Sequence, residues 1–213
     1  MNLFNQTTAT LMFSLLIATM SPAKATSADP SSSVPAGNAA GAVHDFDFLV
    51  GHWRSHHRKL KVRLADNHEW VEFGGTLEMH KLMDGYSNVD DNVFEVPGET
   101  YRGVGLRAFD AKSQQWSIWW LDSRMPLGPL DPPVRGSFRN GVGTFYGDDT
   151  LRGKPVRVRF IWSGITANSC HWEQAFSADG GKTWETNWVM DFTRDSNLAA
   201  ARQETPINSR QFR

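Results

Sequence analysis

The residues best suited to hold a small molecule alternate along one strand-like run. Successive side chains of a β-strand point to opposite faces, so Trp116, Ile118 and Trp120 share one face, which Asp122 and Arg124 extend towards one end. An indole offers a flat surface for stacking, and a carboxylate or a guanidinium can anchor the polar groups of a ligand. The run therefore predicts that Trp120, Asp122 and Arg124 contribute to a ligand-binding site.

Four side chains on other strand-like runs complete the predicted ligand-binding set: His57, Arg159, Glu173 and Trp188. Alternation along the strands places some charge on both faces, so charge enters the interior whichever face points inward. A buried charge must be paired, which predicts a hydrogen-bonded network inside the fold. The sequence leaves two interpretations of such a network open, a structural role and the recognition of a ligand.

An enzyme of the same fold is an alternative. His57, Asp122 and Glu173 are titratable groups that could serve as acid and base in a lyase, isomerase or hydratase acting on a hydrophobic substrate. The sequence contains no G-x-S-x-G elbow, P-loop or dinucleotide fingerprint. We therefore assign no catalytic residue from the sequence and expect no cofactor.

No metal site is predicted either. The seven histidines are scattered along the chain. The segment Asn88–Asn92 combines acids and amides, but it lacks the spacing and the terminal glutamate of an EF-hand loop. A bulged strand with one wet face is the expected structure there.

Short strand-like runs separated by turn residues dominate the chain from residue 53 to residue 194. Nine or ten such runs predict an all-β fold, an antiparallel up-and-down β-barrel, preceded by a short helical turn within Val43–Val50. The first run is expected to continue to Leu64, and Gly74-Gly75 to mark a bulge or bend in the second.

One hairpin carries a specific motif. Residues Ser177–Trp184 fit the pattern S-x-D-x-G-x-T-W, which resembles the Asp-box hairpin repeated in sialidase propellers. Asp179 can accept hydrogen bonds from turn amides, Gly181 tolerates a positive φ, and Trp184 can fold back beneath the turn. A propeller would need several such boxes, so the motif predicts a structural hairpin and no activity.

The start of the first strand resembles that of lipocalin-like (calycin) barrels, in which a short apolar turn precedes a Gly-x-Trp sequence, here Gly51-His52-Trp53. The resemblance implies that Trp53 closes the narrow end of the barrel and that Arg194 stacks on its indole. The chain also resembles an uncharacterised bacterial family with a calycin barrel. Four segments carry this resemblance: Asp45–Trp53, Asp91–Phe94, Trp119–Arg124 and Trp184–Trp188. That family implies a fold and no activity.

The ends of the chain predict an exported protein. Residues 1–25 have the apolar run Leu11–Ala18 and the cleavage sequence Ala23-Lys24-Ala25 of a signal peptide. Residues 26–42 are rich in Ser, Ala, Pro and Gly and are expected to form a flexible linker. The barrel domain is assigned to residues 43–194 and a polar C-terminal tail to residues 195–213. A periplasmic or secreted location follows.

Charge restricts the partners of such a domain. The formal net charge of the whole chain is −1, which argues against nucleic acid as the main partner. No stable membrane insertion is expected once the signal peptide is removed. The leading hypothesis is therefore binding of a small hydrophobic or aromatic molecule. A further alternative is a filled barrel that contacts another protein through the proline-rich loop Met125–Pro133.

Overall fold

A computed structural model describes residues 39–125, 128 and 130–196. The predicted signal peptide, most of the predicted linker and most of the predicted tail lie outside the described residues. No helix within the described residues is long and apolar enough to cross a membrane.

Ten strands in the described part of the chain form one closed antiparallel barrel, which confirms the predicted fold. Each strand pairs with the next along the chain, and β1 pairs with β10 to close the sheet. The strands are β1 (Gly51–Leu60), β2 (Trp70–Leu82), β3 (Ser87–Val96), β4 (Glu99–Asp110), β5 (Gln115–Asp122), β6 (Val134–Arg139), β7 (Val142–Leu151), β8 (Lys154–Ser163), β9 (Ser169–Ser177) and β10 (Glu185–Arg194). The described helical segments are α1 (Ala39–Ala42) and the 3₁₀ turns Asp47–Leu49 and Met83–Gly85.

One end of the barrel is sealed by the segment that precedes β1. The indole N–H of Trp53 donates to the Leu49 carbonyl at 2.8 Å. The guanidinium of Arg194 lies 4.1 Å from the centroid of the Trp53 ring. Its two terminal nitrogens donate to the carbonyls of Val50 and Phe48, each at 2.7 Å. The structure thus brings Trp53 and Arg194 together with the backbone that enters the first strand, beginning at Gly51 with φ +104°.

Aromatic rings fill the half of the barrel next to this closed end. Phe46 is fully buried and packs edge-to-face on Trp116, Phe138 and Trp162, with ring centroids 5.0–6.1 Å apart. Edge-to-face packing suits the quadrupoles of the rings, and each buried ring adds a large apolar area to the core. The opposite end, which we call the mouth, carries the loops 61–69, 97–98, 152–153 and 178–184 and the described residues of the loop 123–133.

Three local expectations from the sequence are wrong. Asn88–Asn92 has no bulge, since it pairs continuously with both β2 and β4. Strand β1 ends at Leu60, not at Leu64, and the chain then folds over the mouth, where the Leu64 amide donates to the Glu185 carboxylate at 2.7 Å. Pairing of β2 with β1 is continuous through Gly74 and Gly75, without a bulge, and pairing of β2 with β3 begins at Gly74. Glycine is needed at the second position because a Cβ there would lie 2.4 Å from the Val93 carbonyl oxygen.

The irregularity of the sheet lies instead in β10. The register with β9 shifts between Thr186 and Trp188, so that Asn187 is an extra residue. Its side chain is fully buried, and its carbonyl oxygen accepts from the Gln174 amide at 2.8 Å. Because an extra residue re-aims the strand that follows, this bulge sets the facing of Trp188.

Candidate functional site

The barrel contains a cavity of about 180 Å³ between the aromatic core and the mouth. This is roughly 12 to 18 times the 10–15 Å³ that a single water molecule needs. Its aromatic lining residues are Trp120, Phe160, Trp162, Trp172, Trp188 and Phe192. Aliphatic side chains, including Leu77, Ile118, Val134, Val158 and Met190, cover most of the remaining wall. The polar lining residues are Asp90, Asn92, Arg107 and Gln174, together with Asp131, Asp148 and Asp149 on loop 123–133 and the mouth half of β7.

Two of the predicted residues, Trp120 and Trp188, belong to this aromatic wall. The Trp188 ring meets Trp172 edge-to-face at 5.7 Å, and Phe94 lies 5.7 Å from both Trp120 and Trp188. A Cβ at Gly103 would come within 2.1 Å of the Trp120 ring. The indole therefore packs directly against a glycine of the neighbouring strand, which fixes the wall on that side.

The cavity also contains a buried polar network, whose members the sequence did not identify. Asp90 on β3 forms an ion pair with Arg107 on β4, and their side chains are 1% and 5% exposed. Asp90 also accepts hydrogen bonds from the Asn92 side-chain amide and the Gly105 backbone N–H, and Arg107 donates to the side-chain oxygen of Asn88 at 3.1 Å. A Cβ at Gly105 would lie 2.7 Å from the Asp90 carboxylate. Opposite charges and several hydrogen bonds offset the cost of burying this pair.

Two donors beside this network lack an acceptor among the described residues. They are the Nε–H of Arg107 and the indole N–H of Trp162. Both side chains line the cavity, and the guanidinium carbon of Arg107 lies 5.8 Å from the centroid of the Trp162 ring. A buried donor without an acceptor costs about 1–3 kcal/mol, so these two groups favour an oxygen-bearing guest.

The His57 ring points into the barrel, and both of its nitrogens are hydrogen-bonded to neighbouring side chains. The indole N–H of Trp188 donates to His57 Nδ1 at 3.2 Å, and because an indole nitrogen can only donate, Nδ1 is the unprotonated nitrogen. His57 Nε2–H then donates to the Ser55 hydroxyl at 2.8 Å. Burial, with smaller contributions from Lys59 and His56, lowers the pKa of His57 to about 3. The ring is therefore neutral, with both nitrogens engaged.

Lys59 is an inward cation that the sequence did not identify. Its ammonium nitrogen lies 3.6 Å from the centroid of the Trp188 ring. Burial is the main reason that its pKa falls to about 8, and the positive charges of Arg63 and Arg124 add to this. The pattern contained a signal, since Trp53, Ser55, His57 and Lys59 alternate on one face of β1.

The predicted pair Asp122 and Arg124 lies at the mouth. Arg124 donates to both carboxylate oxygens of Asp122, at 2.9 Å and 2.6 Å, and its guanidinium lies 3.6 Å from the Tyr101 ring centroid. The hydrogen bond with Arg124 is the main reason that the pKa of Asp122 is lowered. These charges are satisfied by each other and sit at the rim, outside the aromatic wall.

The structure places Arg159 and Glu173 on the outer face of the barrel. In β8 and β9 the inward positions are those of Phe160, Trp162 and Trp172, and their chain neighbours point outward. The Arg159 guanidinium lies 4.7 Å from the Trp184 ring centroid, on the outside. Neither Arg159 nor Glu173 is part of the cavity, because strand alternation excludes them from it.

The three residues considered as acid and base are consequently not brought together. His57 is neutral and doubly hydrogen-bonded inside, Asp122 is paired with Arg124 at the rim, and Glu173 is outside. Within the described part of the chain, no group of three or more His, Cys, Asp or Glu side chains is arranged to hold a metal ion.

The Asp-box hairpin stabilises the β9–β10 connection. The Asp179 carboxylate accepts from the Lys182 and Thr183 amides at 2.9–3.1 Å, and the Thr183 hydroxyl donates to it at 2.6 Å. These hydrogen bonds, that of the Thr183 hydroxyl foremost, lower the pKa of Asp179. Gly181 has φ +96°, and its carbonyl accepts from the Trp184 indole at 3.0 Å. The motif holds a turn at the mouth and supplies no group to the cavity.

Fold and site together define a closed ten-stranded β-barrel with an aromatic, partly polar cavity. The chain belongs to the family described as protein of unknown function DUF1579, whose model matches residues 44–194. A comparison with curated proteins finds no match.

Solved structures with a similar fold include the S-type phycobiliprotein lyase of Guillardia theta. It is 12% identical in sequence, with a TM-score of 0.52, and the match covers 74% of this chain and 94% of the lyase. A designed fluorescence-activating β-barrel matches with 14% identity and a TM-score of 0.38, over 70% of this chain and 95% of the design. At this level of identity the lyase match shows the fold alone.

Proposed function

We propose that this protein binds a small, largely apolar aromatic molecule inside the barrel. The observation that carries the proposal is the cavity of about 180 Å³ inside the barrel, lined by indole rings. Binding sites for small molecules commonly combine apolar walls with a few convergent polar groups, and this cavity has that composition. The similarity to a phycobiliprotein lyase supports a barrel that can accommodate a guest.

The test is quenching of tryptophan fluorescence by a panel of neutral aromatic compounds. A guest stacked on Trp120 or Trp188 should quench emission saturably in the intact protein. Trp120→Phe should weaken binding by about three- to tenfold, because it removes part of the stacking surface. Trp119→Phe is the matched control, since Trp119 is the chain neighbour that points away from the cavity.

The proposal fails if no compound of the panel quenches saturably. It also fails if Trp119→Phe and Trp120→Phe weaken binding equally, since the effect would then be unrelated to the cavity. Circular dichroism of both variants separates a loss of binding from a loss of fold.

The other two functions considered from the sequence find less support. An acid–base enzyme would need two free titratable groups facing each other across the cavity, and the three candidates are separated or already paired. A protein-interaction module was expected to have a filled barrel, whereas this barrel has internal space. Export through residues 1–25 stays a prediction, and N-terminal sequencing of the mature protein would test cleavage after Ala25.

A further inference from the structure

Two unpaired donors and the charges around them bear on the chemistry of the guest. The Arg107 and Trp162 side chains are both more than nine-tenths buried, and each has an N–H without an acceptor among the described residues. They belong to neighbouring parts of one cavity wall, with the guanidinium 5.8 Å from the indole ring centroid. A carbonyl oxygen has two lone pairs and can accept from two such donors at about 3 Å.

The charge around these donors distinguishes a neutral oxygen from an anionic one. The positive charge of Arg107 is already balanced by Asp90, in a pair with almost no exposure to solvent. A carboxylate placed beside this pair would leave a net negative charge buried, which is strongly unfavourable. Near the mouth, the lining adds the acidic residues Asp131 and Asp149, and the Lys59 ammonium lies 3.6 Å from the centroid of the Trp188 ring. The distinction between a neutral and an anionic guest therefore rests on the buried pair, because the mouth carries charges of both signs.

We propose that the guest is a neutral aromatic carbonyl compound whose oxygen accepts hydrogen bonds from Arg107 Nε–H and Trp162 Nε1–H, while its ring system stacks among the tryptophans of the wall. This deepens the function proposed above and rests on it. Arg107 and Trp162 are then specificity residues, and Asp90, Asn88 and Asn92 are positioning residues that hold the guanidinium in place.

A matched set of three probes tests the inference on the full chain. Acetylnaphthalene has the ketone, ethylnaphthalene replaces the ketone by a methylene group, and naphthoate replaces it by a carboxylate. Two hydrogen bonds to otherwise unpaired donors should make the ketone bind at least about tenfold more tightly than the hydrocarbon. The carboxylate should bind more weakly than the ketone.

Variants assign the preference to the two donors. Trp162→Phe removes the indole N–H but keeps an aromatic ring, and it should reduce the ratio of ketone to hydrocarbon affinity by about three- to tenfold. Trp119→Phe makes the same change on the outer face and should leave the ratio unchanged. Asp90→Leu and Arg107→Met, added together to Trp162→Phe, remove the buried pair as a unit and should abolish the remaining preference. If the variant without the buried pair does not fold, the effect of Trp162→Phe on the ratio of ketone to hydrocarbon affinity still tests the inference.

The carbonyl stretching frequency of bound acetylnaphthalene gives a readout that does not depend on any variant. Two donors should lower it relative to the same ketone in a hydrocarbon solvent, and Trp162→Phe should reverse part of that shift. The inference is overturned if ketone and hydrocarbon bind equally, which leaves the cavity as a binding site but assigns its donors to water. It is likewise overturned if naphthoate binds most tightly. If none of the three probes binds, both this inference and the proposed function fail.

Discussion

At the scale of single residues, burial decides what each polar side chain can do. His57 and Asp122 are both titratable and both belong to the predicted site. The first is neutral in the wall with its pKa lowered to about 3, and the second is a carboxylate kept ionised by Arg124. Neither is available for proton transfer to a guest, because the partners of each are already fixed.

His57 gives a pH dependence of stability with a defined sign. Its folded pKa of about 3 lies below the unfolded value of 6.5, so the unfolded chain binds the proton first. The stability that depends on neutral His57 is complete above pH 6.5 and is lost as the pH falls towards 3. At about pH 4 this residue should cost the wild type roughly 3 kcal/mol of unfolding free energy relative to about pH 7.

Urea unfolding at these two pH values measures the effect. The His57→Gln variant retains an acceptor for Trp188 and a donor for Ser55 but does not titrate, so its acid loss should be smaller by about that amount. His68→Gln removes an exposed histidine and should behave like the wild type. Equal acid losses in all three proteins would contradict a buried, neutral His57.

At the scale of the strand, the positions of two glycines determine which side chains can pack against β4. In β4, Gly103 and Gly105 face the interior, the first beneath the Trp120 ring and the second beneath the Asp90 carboxylate. Both the apolar wall and the polar network thus depend on missing Cβ atoms in a single strand. A change in that strand should therefore affect stability and binding together.

Gly103→Ala is expected to displace Trp120, because the added methyl would lie 2.1 Å from its ring. Overpacking of this kind costs about 1–3 kcal/mol of unfolding free energy. Gly74→Ala is the matched control, since the nearest atom to its new Cβ is the end of the flexible Glu95 side chain, at 3.1 Å. Thermal or urea unfolding checks the pair. Similar losses of unfolding free energy in the two variants would contradict the close packing of Trp120 on Gly103.

Strand periodicity also explains how much of the site was predictable. Alternation on β5 identified the facing of Trp120, which the structure brings to the cavity together with Trp188. Arg107 and Asp90 were not predicted because strand alternation defines two faces of the sheet. Only the pairing of the strands in the closed barrel determines which face is the interior. Arg159 and Glu173 stand on the outer face for the same reason. A strict two-residue alternation also does not reveal the bulge at Asn187, which determines the face on which Trp188 lies.

At the scale of the whole molecule, the barrel was predictable because its signals are local. Short runs with turn residues between them require antiparallel neighbours, and ten such strands close on themselves. The cavity was not predictable in this way, since it is the space left after aromatic rings from different strands have packed. Phe46 shows this most clearly, because a residue outside the strands fills the closed half and leaves the mouth half open.

The most direct test of the central claim is a titration of the intact protein with prodan, a neutral aromatic ketone whose emission shifts to the blue in apolar surroundings. We predict saturable, blue-shifted binding at one site per chain. Val158→Phe adds volume inside the cavity and should weaken binding at least about tenfold, because overpacking leaves the guest no room. Val93→Phe makes the same change on the outer face, since its partner Thr76 on β2 is an outward residue, and should have no effect. Absence of saturable binding, or equal binding by the two variants, would contradict a guest inside the barrel.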